Sequence, residues 1–344
     1  MVAGLAVAWL MATVQACDGG GPESTTGPST SALVPEGVFA YQEPGRFTVM
    51  RDGNKISSVK LASEATYSSD SDWSSDGSRV AIVDGVSLIS ISTVDGAVTT
   101  TQCRCTDVAV LDDEILTVSN HAALGLDAYD PVTLSKRQSI WRPNIPAESK
   151  IDRVDGAGDL AVVFAINSKG ASISLSDIYV ASRTDGAQVR HVGDTTRLGT
   201  VVDSAYTPNG PNGTPVFAYA TWFHASSCVG SAAVAWFDPT SAVQQTVTDA
   251  SHLLSASGSR PSAGDFSVSW DNLWWSPDGR LRATGATWTC PQPPQPGSSR
   301  EMVVGHSQWI LDENTWKQSD RDRLASRRHL TRNVILEFGV GPDG

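Results

Sequence analysis

The sequence predicts an all-β chain made of repeated four-stranded sheets: a six-bladed β-propeller, or a seven-bladed one if residues 325–344 begin a further blade. Two observations predict it. A hairpin signal is written twice, as "DWSSDGSRVAIV" at 72–83 and within "LWWSPDGRLRATGATW" at 273–288. A second signal, a strand running into an Asp-centred turn and out into another strand, recurs six times. Between 37 and 344 short β-branched and aromatic runs alternate with Gly, Asp, Asn and Pro turns, with almost no helical periodicity.

The repeated hairpin has a local cause. Ser-Ser-Asp-Gly and Ser-Pro-Asp-Gly suit a type I turn followed by a residue at positive φ. Gly77 and Gly279 take that position without a Cβ clash, and Pro277 presets φ at an early turn position. Each motif is then the first hairpin of a four-stranded unit, with its Trp ending the inner strand and packing between neighbouring units. The outer hairpins are "TVMRDGNKI" (48–56), "ISISTVDGAV" (89–98), "LDAYDPVTL" (126–134), "IYVASRTDGAQV" (178–189), "VAWFDPTSAV" (234–243) and "WILDENTWK" (309–317). Six units at a period of about fifty residues fit radially arranged blades. The first unit, 37–61, holds only three strands. A C-terminal strand from 325–340 is expected to complete it and cover its open edge.

Trp-Ser-[Ser/Pro]-Asp-Gly-x-x-[apolar], at 73–80 and again from 275, resembles the WD-type repeat of TolB-like propellers. It is also similar to the propeller domains of prolyl-oligopeptidase-like proteins. The resemblance covers two units well and implies a fold, not an activity.

The N-terminus predicts a location. Residues 1–16, "MVAGLAVAWLMATVQA", carry no charge and are too short to span a bilayer, which fits a signal-peptide core. Val14-Gln15-Ala16-Cys17 resembles a bacterial lipoprotein cleavage box, with Cys17 as the lipidated residue, although Gln15 is unusual there and no basic residue precedes the apolar run. Residues 17–36, rich in Gly, Pro, Ser and Thr, would form a flexible tether with a reach of roughly 20–25 Å. The propeller would then occupy 37–344, outside the cytoplasm and attached to the membrane through the lipid. A net charge of −12 argues against nucleic acid as a partner.

Four further cysteines, Cys103, Cys105, Cys228 and Cys290, allow three disulfide pairings. Cys228 and Cys290 fall at second hairpins of neighbouring units, so their bridge is feasible and leaves Cys103 with Cys105. Zinc is disfavoured, because Cys-x-Cys with no nearby His does not match tight zinc knuckles.

No catalytic set, cofactor site or metal site emerges. "GHSQW" (305–309) fails as a nucleophile elbow at Trp309. Asp70, Asp72 and Asp76 are close but lack the spacing of a calcium loop. "RDRLASRRHLTR" (321–332) reads as a salt-bridged strand surface. Trp270, Trp274, Trp275, Trp288, Trp309 and Trp316 crowd the last unit, as packing between blades or as a platform for a glycan or peptide. His121 and His224 are expected in second-hairpin loops on one face, and with Trp288 they form the candidate binding edge. The expected function is a non-catalytic, lipid-anchored module that binds a protein or glycan of the cell envelope. The alternative is a hydrolase or lyase acting on glycans or peptides in the propeller funnel. Acidic side chains converging beside a pocket would favour the enzyme, and a filled centre would favour binding.

Overall fold

The computed structural model describes residues 37–338 except 63–69, 120–124, 138–144, 148, 168–175, 183–188, 195–199, 211–212, 227–228, 242, 250–265, 277, 290–301, 313–314 and 319–334. The chain divides into two units, Met1–Ala32 and Leu33–Gly344, and every described residue lies in the second. The expected signal peptide, Cys17, the tether, His121, Cys228, Cys290 and the Arg-rich segment lie outside the described residues.

The described chain is all-β, arranged as six small antiparallel sheets in sequence order. Sheet 1 holds β1 (Val38–Glu43), β2 (Arg46–Arg51) and β3 (Asn54–Lys60). Sheet 2 is β4 (Asp70–Trp73), β5 (Arg79–Val83), β6 (Ser87–Ser92) and β7 (Val98–Gln102). Sheet 3 has β8 (Cys105–Val110), β9 (Ile115–Ser119) and β10 (Leu126–Tyr129). Sheet 4 follows with β11 (Ser149–Ala157), β12 (Leu160–Asn167), β13 (Ser176–Ser182) and β14 (Val189–Asp194). Sheet 5 is β15 (Thr200–Thr207), β16 (Val216–Ser226), β17 (Val229–Asp238) and β18 (Val243–Asp249). Sheet 6 is β19 (Phe266–Trp275), β20 (Leu281–Thr289), β21 (Met302–Asp312) and β22 (Thr315–Gln318). The last strand, β23 (Ile335–Phe338), returns to sheet 1 and pairs antiparallel with β1, Phe39 opposite Phe338 and Gln42 opposite Ile335.

The core explains why the central strands read as continuous apolar runs. Sheets 2 to 5 are covered on both faces, and alternate residues serve different neighbours. Val80 and Ile82 pack on Phe47 and Val49 of sheet 1. Ala81 and Val83, one step out of phase, pack on Val108 and Val110 of sheet 3. Sheets 3 and 4, 4 and 5, and 5 and 6 repeat the arrangement. Trp275, Trp309 and Trp316 of sheet 6 lie in one cluster with Val216, Ala218 and Ala220 of sheet 5. For these three tryptophans the packing reading is the observed one.

The two Asp-Gly hairpins match in detail. Gly77 and Gly279 have φ of 65° and 72°, and each donates its N–H to the carbonyl of the Ser at the turn's start over 2.8 Å. Asp76 Oδ1 accepts from Ser74 Oγ at 2.7 Å and from Ser78 N at 2.9 Å. Asp278 Oδ1 accepts from Ser276 Oγ and from Arg280 N. Those bonds and the Arg280 guanidinium outweigh the partial burial of Asp278 and hold its carboxyl down at about 2.

Sheet 3 departs from the four-strand expectation. After Asp130, whose Oδ1 accepts from Val132 N and Thr133 N, the chain makes one bridge, Tyr129 to Lys136, instead of a described fourth strand. The same Asp-Pro turn recurs between β17 and β18 of sheet 5, where Asp238 Oδ1 accepts from Thr240 N at 2.8 Å and the strands pair through Asp238 and Val243.

Candidate functional site

Four of the sheets open with strands that share one irregularity. The register shifts between Cys105 and Asp107 in β8, Ile151 and Arg153 in β11, Val201 and Asp203 in β15, and Trp270 and Asn272 in β19. A bulge at this point leaves one residue unpaired and re-aims the next. The re-aimed residues are polar in every case: Asp107, Arg153, Asp203 and Asn272. Asp70 and Asp72 of β4 and Asp155 of β11 join them electrostatically: Asp70, Asp107, Asp155 and Asp203 interact with the Arg153 guanidinium, and Asp72 with Asp155, so one cation serves a cluster of five carboxyls.

These carboxyls tie sheets together. Asp72 Oδ2 accepts from Val110 N of sheet 3 at 2.7 Å and from Gly156 N of sheet 4 at 2.9 Å. Its Oδ1 accepts from Trp73 N at 2.8 Å. Asp107 Oδ2 accepts from Val154 N of sheet 4, and Asp203 Oδ2 from Leu273 N of sheet 6, each at 2.5 Å. Arg153 holds Asp155 bidentately, with both bonds at 2.9 Å. Gly156 is required here: a Cβ would meet the Val110 carbonyl oxygen and lie 2.9 Å from Asp72 Oδ2.

One guanidinium cannot balance five carboxylates in a buried place, so protons are retained. Burial, then Asp155, pushes Asp72 up to about 8 against the bonds it accepts. Burial also raises Asp203, to about 7, although Arg153 pulls the other way. Burial and Asp70 hold Asp107 well above the usual carboxylate range. Burial works against the charge of Arg153, but Asp155, Asp70 and Asp107 keep it protonated.

Against this cluster lies a small cleft, with a cavity volume of about 50 Å³, at the ends of the sheets' first strands. Its walls are Asp72–Ser75 from sheet 2, Gly156 from sheet 4, Ser204–Tyr206 from sheet 5 and Leu273–Trp275 from sheet 6. Trp73, Tyr206 and Trp274 are the aromatic residues along it, the Trp73 side chain packing on the core between sheets 1 and 2 beside Ile56 and Val59. Trp275 donates its Nε1–H to the Ala205 carbonyl at 3.3 Å and so clamps sheet 6 to sheet 5. Trp73 Nε1 is buried and has no acceptor among the described residues. Burial, with Asp112, Asp159 and Asp238 nearby, pushes the Tyr206 hydroxyl up to about 12, so it stays a donor.

Of the residues singled out from sequence as a binding edge, two lie in described strands. His224 lies inside strand β16, opposite Gly230, rather than in the expected loop, because that hairpin continues to the Ser226–Val229 pair. Trp288 lies in β20 opposite Ser267 and Val303. Cys103 and Cys105 are bonded to each other, Cα atoms 5.2 Å apart, within the core between sheets 2 and 3. Among the described residues no group of three or more His, Cys, Asp or Glu could hold a metal ion. Asp107, Arg153, Asp155, Asp203 and Tyr206 were not signalled by the hairpin motif. A shorter one would have found part of the set: "DSDWS" (70–74), "DSAYT" (203–207) and "NLWWS" (272–276) each carry Asp or Asn, two residues, Trp or Tyr, then Ser or Thr.

No family model matches the chain, and no curated protein matches it. Among solved structures it is similar to a protein of unknown function from Desulfotomaculum acetoxidans DSM 771, with a TM-score of 0.43, 12% identity, and coverage of 78% of this chain and 79% of that one. The N-terminal domain of Nup159 gives a TM-score of 0.40 at 10% identity, covering 83% of this chain and 70% of that one. The dihydro-heme d1 dehydrogenase NirN, in complex with DHE, gives 0.40 at 14% identity, covering 92% and 80%.

Proposed function

We propose that the six sheets close into a six-bladed propeller of the TolB-like type. In this reading the propeller is a non-catalytic binding module, held outside the cytoplasm by a lipid on Cys17, that engages a protein or glycan of the cell envelope through the cleft. Three features support the closure: the pairing of β23 with β1, the packing of each sheet on the next, and the approach of β19 to β23. The repeated Trp-Ser-x-Asp-Gly hairpins support the type.

The observation that carries the binding reading is where the carboxyl oxygens go. Acidic groups converging beside a cleft are the arrangement expected of an enzyme. Here both oxygens of Asp72, and the oxygens of Asp107 and Asp203 that reach across to another sheet, are occupied by main-chain N–H groups. A carboxyl so engaged holds strands in place and is poorly free to move a proton at a substrate. The groups that remain along the cleft wall are aromatic rings and hydroxyls, which bind.

The test is co-purification from solubilised membranes of wild-type chain, Cys17→Ser and Trp274→Ala. Cys17→Ser should move the protein to the soluble fraction. Trp274→Ala should stay in the membrane and lose the captured partner. Capture unchanged by Trp274→Ala would overturn the cleft as the binding surface.

One observation favours a second reading. Asp72 borders the cleft and holds a proton near neutral pH, as a general acid must. A hydrolase acting on glycans or peptides would lose turnover by a hundredfold or more in Asp72→Asn, as roughly expected for a general acid.

A further inference from the structure

Each sheet ends in a strand with one side unpaired, and such an edge pairs readily with another chain unless charge or irregularity blocks it. Lys55 and Lys60 stand in β3, Asp127 in β10, Arg190 and Asp194 in β14, Asp249 in β18 and Lys317 in β22. Among these described edges β7 is the exception: Val-Thr-Thr-Thr-Gln has no charge, no Pro and no Gly, and is built mostly of β-branched residues. We infer that β7 is a self-complementary edge through which two copies of this chain pair, antiparallel, about a two-fold axis at Thr100.

The ladder shows which groups face outward. Ser92 N donates to the Ala97 carbonyl at 2.9 Å, and Cys103 N to the Val86 carbonyl at 3.0 Å. Bonded pairs alternate along an antiparallel ladder, so Thr99 and Thr101 direct their main-chain groups to β6, and Val98, Thr100 and Gln102 direct theirs away from it. Those outward groups have no main-chain partner among the described residues.

The exposed apolar side chains gather at the same edge. Four large ones stand exposed among the described residues. Val98, 44% exposed, begins β7, and Val94, 66% exposed, stands in the hairpin leading into it. Val132 is 58% exposed, and its carbonyl accepts from Thr99 Oγ1 at 2.8 Å. Val86, 54% exposed, is bonded to Cys103 just past the end of the strand. Scattered single valines would need no explanation, whereas four along one edge mark a contact surface.

Charge and register select a second copy as the occupant. Pairing about Thr100 sets Thr100 opposite itself, Thr99 opposite Thr101 and Val98 opposite Gln102, so the outward groups of the two strands meet. Threonine pairs across a sheet are favourable. Beyond each end of the ladder, Arg104 of one copy comes opposite Gly96 of the other, beside Asp95, and both charged residues are exposed. The turn carrying Asp95 is held close to sheet 1, where a Cβ on Gly96 would lie 2.8 Å from the Ile56 carbonyl oxygen. The two-fold axis repeats the match of cation and anion at the other end. Two copies with a net charge of −12 repel over most of their surface, so an uncharged edge with opposite charges at its ends is where they can meet.

The experiment is sedimentation equilibrium of the full-length chain in density-matched detergent, with hydrogen exchange of its main-chain amides. The wild type should sediment as a dimer, with the amides of Val98, Thr100 and Gln102 protected. Thr100→Pro removes the central outward donor, a change that an edge strand tolerates. Thr100→Lys sets two cations face to face and decides the matter if Thr100→Pro does not fold. Each should raise the dissociation constant about tenfold or more. Arg104→Glu should also weaken the dimer, and adding Asp95→Arg should restore it. Monomers at every concentration up to the solubility limit would overturn the inference. So would a dimer that none of these variants weakens, because its interface would lie elsewhere. Protection of the β7 amides that appears only when another protein is added would likewise overturn it, and would make the occupant a foreign strand.

Discussion

Asp72 performs two tasks with one side chain. It fastens three sheets through main-chain amides, and it forms part of the cleft wall. The close approach it needs is available only because residue 156 has no side chain. Gly156→Ala should therefore destabilise the fold by about 2 kcal/mol, the range for forcing a methyl into packed space, as measured by chemical denaturation. A loss below about 0.5 kcal/mol, typical of unconstrained sites, would mean that sheets 3 and 4 do not approach as described. Little of this was legible beforehand. Asp70 and Asp72 were noticed and set aside because their spacing fits no calcium loop. Asp107, Arg153 and Asp203 sit at irregular chain distances behind a bulge, and a bulge is a matter of pairing that a single strand's sequence does not display.

At the scale of elements, the Asp-Gly hairpins and the apolar runs were readable because their causes are local: a positive φ that only Gly takes easily, and burial on both faces of a sheet. The fourth strand of sheet 1 was readable from arithmetic, since three strands leave an open edge and the C-terminus leaves one strand over. In sheet 3 the chain after β10 turns at Asp130-Pro131 and pairs back through Tyr129 and Lys136, and residues 138–144 lie outside the described residues. Deleting 325–344 removes β23 and bares the edge of β1. The truncated chain should lose its single cooperative melting transition or aggregate, whereas an unaltered melting curve would contradict the role given to β23. The pairing of Cys228 with Cys290 is a second prediction at this scale. The hairpin joining β16 to β17 and the end of β20 belong to neighbouring sheets 5 and 6. A bridge there closes a loop whose chain-entropy contribution is roughly 3–4 kcal/mol. Non-reducing peptide mapping should recover a 228–290 peptide; a Cys103–Cys228 or Cys105–Cys290 peptide would refute it.

For the molecule as a whole, the carboxyl cluster sets how stability depends on pH. Asp72 and Asp203 have folded pKa values of about 8 and about 7, above the ordinary 3.8. The folded state therefore binds more protons than the unfolded state from about pH 4 to pH 8. Their contribution is complete below the unfolded value and is lost as pH rises through 7 and 8. Asp76 and Asp278 act in the opposite sense, because their folded values are depressed, and their contribution is lost as pH falls below about 4. The melting temperature should peak between about pH 4 and pH 7 and fall by several degrees toward pH 9. Asp203→Asn should flatten the alkaline fall, and a melting temperature that rises steadily to pH 9 would exclude the retained protons. The pairing of β23 also has a mechanical consequence. The described N-terminal strand, β1, is hydrogen-bonded on one side to β2 through six residue pairs and on the other to β23 through four. A pull applied at the N-terminus enters the domain through a strand gripped on both sides, one grip coming from the last described strand. The load is shared between two ladders, and extracting the first strand under tension means breaking both at once.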